Sequence, residues 1–165
     1  MKLLQQMCEI HAPSGEEFAM TKFLLNYISK SQEEWKVQPT LHYGKGFQDN
    51  IIMVFGTPTT AIFSHLDSIG FTVKYNNEIV KIGGPVTTEG IELVGEDSKG
   101  RIEGKIIKKE KELFIDFDRE IDRGTSLTFK VNFRDTKNFI QSCYMDNRLG
   151  VWNALEVAKT LENGI

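Results

Sequence analysis

Cysteine is scarce in this sequence. Cys8 and Cys143 are separated by most of the chain, so neither a disulfide framework nor a CxxC pair is present, and a reducing cytoplasm is the expected setting. Long apolar runs are missing as well. No stretch could span a bilayer, and the N-terminal "MKLLQQMCEIH" lacks the sustained apolar core of a signal peptide. Basic runs are also absent, and the formal net charge is -3. That balance argues against nucleic acid or an anionic membrane as the main partner. The densest charged stretch, Lys105 to Lys111, is offset by Glu110 and Glu112 and reads as a solvated strand pair. No internal repeat or low-complexity segment is found.

With 40% hydrophobic and 26% charged residues over 165 positions, the chain can bury one good core or two small ones. Residues 2 to 9 read as a short helix. Ser14 and Glu17 form a capping-box pattern that predicts a helix to about Lys30, with Phe18, Thr21, Leu25 and Ile28 on one face. Trp35 to Asn50 reads as an amphipathic strand followed by a glycine-rich turn. "NIIMVFG" (50 to 56) and "AIFSH" (61 to 65) are short continuous apolar runs, the pattern of buried strands in a helix-covered sheet. From Phe71 to about Phe139 the pattern changes to short alternating runs: "FTVKY", "EIVKI", "IELV", "RIEGKII", "ELFIDF" and "SLTFKVNF". Asn76-Asn77, Gly83-Gly84-Pro85 and Ser98-Lys99-Gly100 separate several of them. In the last run Leu127, Phe129, Val131 and Phe133 share one face and Thr128, Lys130 and Asn132 the other. This is half-buried antiparallel β structure, a small barrel or sandwich inserted into an α/β domain. A strand to Met145 and a helix carrying Val151, Ala154, Leu155, Ala158 and Leu161 on one face then restore the α/β pattern, with Gly164 suited to the helix C-terminus. The expected division is 1–70 and 140–165 for the α/β domain and 71–139 for the all-β insertion.

Two places could carry chemistry. His65 and Asp67 lie two apart at the end of an apolar run, so on a strand both side chains would project from its C-terminal edge, where open α/β sheets bind ligands. A metal-binding histidine commonly donates its second ring N–H to a carboxylate, and Asp67 could be that group or a ligand itself. His-x-Asp alone is a weak signal. Asp146 opens the later helix, where free N–H groups favour its charge. It reads either as a ligand able to bridge two divalent cations or as a plain N-cap. Arg148 could orient Asp146 or be a surface residue. His11 and His42 read as a loop and a strand residue, and Cys143, in an apolar run, as an inert thiol.

Jointly, "HAPSGEE", "FSHLDSIGFTVKY", "IGGP", "DRGTSLTF" and "YMDNRLGVWNALEVAK" occur in an order that resembles the M42 family of dinuclear metallo-aminopeptidases, and the resemblance spans nearly the whole chain. It implies a partial αβα zinc-exopeptidase-type domain with a small barrel-like insertion that shapes subunit contacts, hence a homo-oligomer. It implies two divalent ions, zinc or cobalt, with manganese as a further candidate. His65 would be a metal ligand, Asp67 the catalytic carboxylate that orients it, and Asp146 the bridging ligand. The substrate would be a peptide with a free N-terminus. Asn147 stands where a second acidic residue is common, and Ser68 where a glutamate is usual. The family's general-base glutamate and remaining ligands have no counterpart here, so the expectation is an N-terminal half, inactive alone. Two other readings compete: a non-catalytic peptide- or protein-binding module, and a thiol hydrolase pairing Cys143 with His65.

Overall fold

Six antiparallel strands between Gly70 and Phe129 close on one another in the computed structural model, which describes residues 1 to 162. They are β3 (Gly70–Val73), β4 (Glu78–Ile82), β5 (Glu92–Asp97), β6 (Gly100–Lys109), β7 (Glu112–Asp116) and β8 (Ser126–Phe129), arranged β3-β4-β7-β6-β5-β8 around a barrel. Each alternating run of the sequence contributes one strand. Period-2 patterning turns Phe71, Val73, Leu93, Ile102, Ile106 and Leu127 inward to a common core. Closure leaves this sheet without an open edge. The wall is tight where glycine faces the core. A Cβ on Gly104 would meet the Asp116 carbonyl oxygen at 2.5 Å, so only glycine lets β6 and β7 approach this closely. Two expectations for the last run fail. The ladder ends at Phe129 instead of continuing to Phe133, and Thr128, assigned to the polar face, is buried.

The loops at one end of the barrel are tied by a carboxylate. The Asp97 side chain, 0% exposed, accepts two hydrogen bonds from the Arg119 guanidinium, at 2.6 and 2.8 Å. It also accepts from the backbone N–H groups of Lys99 (2.9 Å) and Asp122 (3.1 Å). Nearby, Asn77 sits in the left-handed region (φ 60°). Its amide donates to the Arg119 carbonyl and accepts from the Ile121 N–H.

This barrel and its flanking residues, Pro13–Gly15 and Ser68–Cys143, form one compact unit. It also holds a two-stranded ribbon of β9 (Arg134–Asp135) and β10 (Ile140–Gln141). The other unit comprises Met1–Ala12, Glu16–Asp67 and the chain from Tyr144 onward. Its elements are α1 (Lys2–Glu9), α2 (Phe18–Ser31), a ribbon of β1 (Thr40–His42) and β2 (Ile52–Val54), and α3 (Met145–Ala158). Leu4, Met7, Leu24, Ile28, Val151 and Leu155 are buried in it, and Trp35 stacks on Phe55 with ring centroids 6.5 Å apart.

Several sequence expectations are corrected in this unit. Helix α2 starts at Phe18 with Glu17, not Ser14, in the cap position, and the Ser14 N–H donates to the Ser68 carbonyl in the barrel unit. The buried face of α2 is Met20, Thr21, Leu24 and Ile28, and Phe18 is exposed. The segment 61–65 forms no strand, and its Phe63 is 88% exposed. No described strand pairs with it, so its backbone has no ladder to join. The segment before Asp146 is not a strand running to Met145, because α3 already begins there. Gly164 lies outside the described residues.

Two outcomes follow for the barrel. Gly104→Ala should destabilise it by about 1–3 kcal/mol through overpacking, measured by urea denaturation. The Arg119 guanidinium, with the two backbone N–H groups, holds the Asp97 carboxyl well below the usual carboxylate range. Its contribution is therefore fully present above the unfolded pKa, about 3.9, and is lost as pH falls below it toward the folded value. Asp97→Asn should lower the urea midpoint at pH 7, and the gap from the parent should narrow steadily below pH 4. A gap that stayed constant with pH would contradict this reading.

Candidate metal centre

The helix that carries Asp146 does not begin as a regular helix. Asp146 (φ -88°, ψ 105°) and Asn147 (φ -121°, ψ 34°) depart from helical geometry, and Tyr144 before them is left-handed. The first regular turn is capped by Asn147, whose Oδ1 accepts from the Gly150 N–H at 3.0 Å. A Cβ on Gly150 would come within 2.0 Å of that oxygen, so a larger residue there would displace the capping amide. The plain N-cap reading of Asp146 is thus replaced: the neighbouring asparagine caps, and the Asp146 carboxylate, 95% exposed, is left available for other contacts.

Its contact is His65. The imidazole Nε2 lies 2.9 Å from Asp146 Oδ1, and Nδ1 lies 3.0 Å from Asp67 Oδ1 and 3.3 Å from the Asp67 carbonyl. The three side chains predicted from sequence are therefore in direct contact, although Asp146 is 81 positions from His65. All three belong to the helical unit. Burial works against a charged His65, but the hydrogen bond to Asp146 and the charge of Asp67 outweigh it and raise its pKa. In the imidazolium both ring N–H groups donate, one to each carboxylate.

Arg148 has a different place from the one expected. It is 0% exposed, and Nη1 donates to the carbonyl of Leu66, the residue between His65 and Asp67; among the described residues it forms no ion pair with Asp146. Burial lowers its pKa, with Cys8 and Asp67 among the groups that oppose the shift. Its Nε and Nη2 are buried without a hydrogen-bond partner among the described residues. The sequence had no signal for this role, since a contact to a distant backbone carbonyl leaves no pattern. His42 lies on the exposed ribbon against the Phe47 ring, and His11 faces Glu16 at 4.0 Å. Cys143 is a half-buried thiol in the barrel unit. Because carboxylates engage both nitrogens of His65, neither is free to activate a thiol.

The donor chemistry suits a divalent cation in part. A neutral imidazole Nε2 and an exposed carboxylate converge, and the far side of the ring is oriented by a second carboxylate. The number of donors falls short: among the described residues, no group of three or more His, Cys, Asp or Glu is arranged to hold a metal ion.

No family profile and no curated protein matches this sequence. Solved structures do match in fold. One is PhTET1 in a dodecameric form (TM-score 0.75, 19% identity, 96% of this chain and 54% of that chain). Another is the TET1 peptidase of Pyrococcus horikoshii, which can assemble into a tetrahedron or a large octahedral shell (TM-score 0.72, 20% identity, 97% and 56%). A third, from Thermotoga maritima, is described as an endoglucanase (TM-score 0.74, 18% identity, 98% and 56%). The chain thus has the mixed α/β fold with a six-stranded barrel of these proteins and spans about half their length. No helix among the described residues is long and apolar enough to cross a membrane.

The site makes a direct prediction. An NMR titration should place the His65 pKa above that of an isolated histidine, and Asp146→Asn should lower it. An unchanged pKa in that variant would mean that the 2.9 Å contact is not populated in solution.

Proposed function

We propose that this chain is part of a dinuclear metal-dependent aminopeptidase of the M42 type. The observation that carries the reading is the carboxylate–imidazole–carboxylate alignment of Asp67, His65 and Asp146, on a fold that TET1 peptidase shares. His65 Nε2 and the Asp146 carboxylate would hold metal, zinc or cobalt, and the free second oxygen of Asp146 suits it to bridging two ions. A bound cation pair would supply Lewis-acid polarisation of a scissile carbonyl and acidify a water. This chain's own contribution is to present the donors. Asp67 accepts the Nδ1 proton, which keeps Nε2 deprotonated and directed outward in the neutral ring. Arg148 fixes the Leu66 carbonyl, and with it the backbone between His65 and Asp67. The remaining donors and the general base would come from outside the described residues, so the described residues alone would be inactive. The substrate would be a peptide with a free N-terminus. The barrel would serve subunit contacts in a cytoplasmic homo-oligomer.

One observation favours a second reading. A catalytic zinc usually has three protein ligands, and two donors are in place here. A non-catalytic peptide- or protein-binding module derived from this fold would need no more.

Metal content separates the two. The enzyme reading expects the protein at its full encoded length to carry stoichiometric metal, to release N-terminal residues from aminoacyl-nitroanilides and to be silenced by chelators. His65→Ala and Asp146→Ala should each abolish activity and metal. Asp67→Asn should weaken metal binding by about 10–100-fold, read by calorimetry. A fully active Asp146→Ala protein would refute the bridging assignment, and a metal-free wild type would favour the binding module.

A further inference from the structure

Arg148 lies on the buried stripe of α3, in line with Val151, Leu155 and Ala158, and α1 packs on this helix. The buried stripe of α1 is Leu4, Met7 and Cys8. A guanidinium and a thiol thus lie on the buried faces of two packed helices, Cys8 1% and Arg148 0% exposed. Among the charges that favour the protonated guanidinium, that of Cys8 counts most, ahead of Asp67 and Tyr144. Arg148 Nη1 donates to the Leu66 carbonyl, whereas Nε and Nη2 have no hydrogen-bond partner among the described residues. Charged donors left unpaired in an interior are unfavourable, and a thiol sulfur is only a weak acceptor. A stronger acceptor carried on that sulfur would satisfy them.

We infer that Cys8 is an oxidant-directed modification site: hydrogen peroxide converts its thiolate to a sulfenate, whose oxygen accepts from Nε and Nη2 of Arg148. This inference is independent of the metal-site reading above. In the step, the thiolate sulfur attacks one peroxide oxygen. The S–O bond forms as the O–O bond breaks, sulfur is oxidised by two electrons, and the departing hydroxide takes a proton from solvent to leave as water. The thiolate is the reacting form. Burial favours the neutral thiol and the neighbouring cation favours the thiolate, and in an interior that screens charge weakly the pull of the cation is strong. Burial also selects the oxidant. Peroxide is small and uncharged and can enter through local opening. A bulky thiol cannot follow it, so the sulfenate persists instead of passing on to a mixed disulfide.

The test treats the protein at its full encoded length with dilute hydrogen peroxide at pH 7, unfolds it in dimedone and reads each cysteine by peptide mass spectrometry. If access alone governed oxidation, the half-buried Cys143 would react before the buried Cys8. The expected order is the reverse, with Cys8 labelled about tenfold faster or more. Arg148→Met should remove that advantage. Arg148→Lys keeps the cation and loses the planar fork. It should retain the first oxidation within about threefold, but its less firmly held sulfenate should proceed to sulfinic acid. Oxidation of Cys143 before Cys8 in the parent, or an unchanged Cys8 rate in Arg148→Met, would overturn the inference. The comparison of the two cysteines needs no variant, so it decides even where Arg148→Met fails to fold.

Discussion

One imidazole lies at the centre of the site: His65, held at both ring nitrogens by carboxylates. As a stabilising contact this arrangement is weak. Asp146 is almost fully exposed and His65 is 49% exposed, so water screens the attraction. A contact of this kind persists only if the backbone positions it. Two local devices do so. Asn147 caps the helix and leaves Asp146 outside it, and Arg148 reaches from the same helix to the Leu66 carbonyl. Among the described residues two nitrogens of this buried guanidinium have no partner, an arrangement that costs stability. A fold selected for stability alone would place an apolar side chain there. The cation instead joins the two segments that carry the site, which is consistent with a demand for geometry.

The two units answer the hydrogen-bonding requirement of extended chain in opposite ways. The barrel satisfies its strands by closure, and its buried carboxylate, Asp97, collects four donors from three residues in the loops. The helical unit has a two-stranded ribbon and a third apolar segment with no ladder. Its helices each bury one stripe, and an apolar groove lined by Leu24, Ile28, Phe63 and Leu155 lies beside the polar site. Binding grooves have this combination: a mostly apolar trough with a few convergent polar groups at one end.

What the sequence revealed follows from the range of the interactions involved. The six barrel strands were legible because alternation is local and each run matched one strand. The His65–Asp67 pair was legible for the same reason, since two positions apart on extended chain implies a shared side. Asp146 could be singled out only by its position at a helix start, and the proximity of His65 and Asp146 is a product of the whole path between them. The roles of Asp97, Arg148 and Asn77 were invisible because each binds backbone groups from distant parts of the chain. The error at 61–65 has a different cause. An apolar run becomes a strand only where a neighbour offers hydrogen bonds, and periodicity does not reveal whether one is present. Phe18 failed likewise: helical spacing put it near the apolar face, but the buried stripe lies on Met20, Leu24 and Ile28.

The same fold carries proteins described as a peptidase and as an endoglucanase, so architecture does not select the reaction. The choice must come from the side chains, and here their chemistry is restrictive. Glycoside hydrolysis usually employs two carboxyl groups facing each other across a sugar bond, one of them protonated. In this chain an imidazole lies between the two carboxylates, and each is directed at a ring nitrogen. The contact to Asp146 raises the His65 pKa, so it resists loss of the Nε2 proton. An acid–base pair for a glycosidic bond gains nothing from that arrangement. A cation-binding pair would: the imidazole nitrogen and the carboxylate oxygen that face each other are the two donors that would hold a divalent ion in the proposed enzyme. The arrangement of these side chains thus supports the proposed cation-binding role and gives a carboxylate-pair glycosidase no facing carboxyl groups to use.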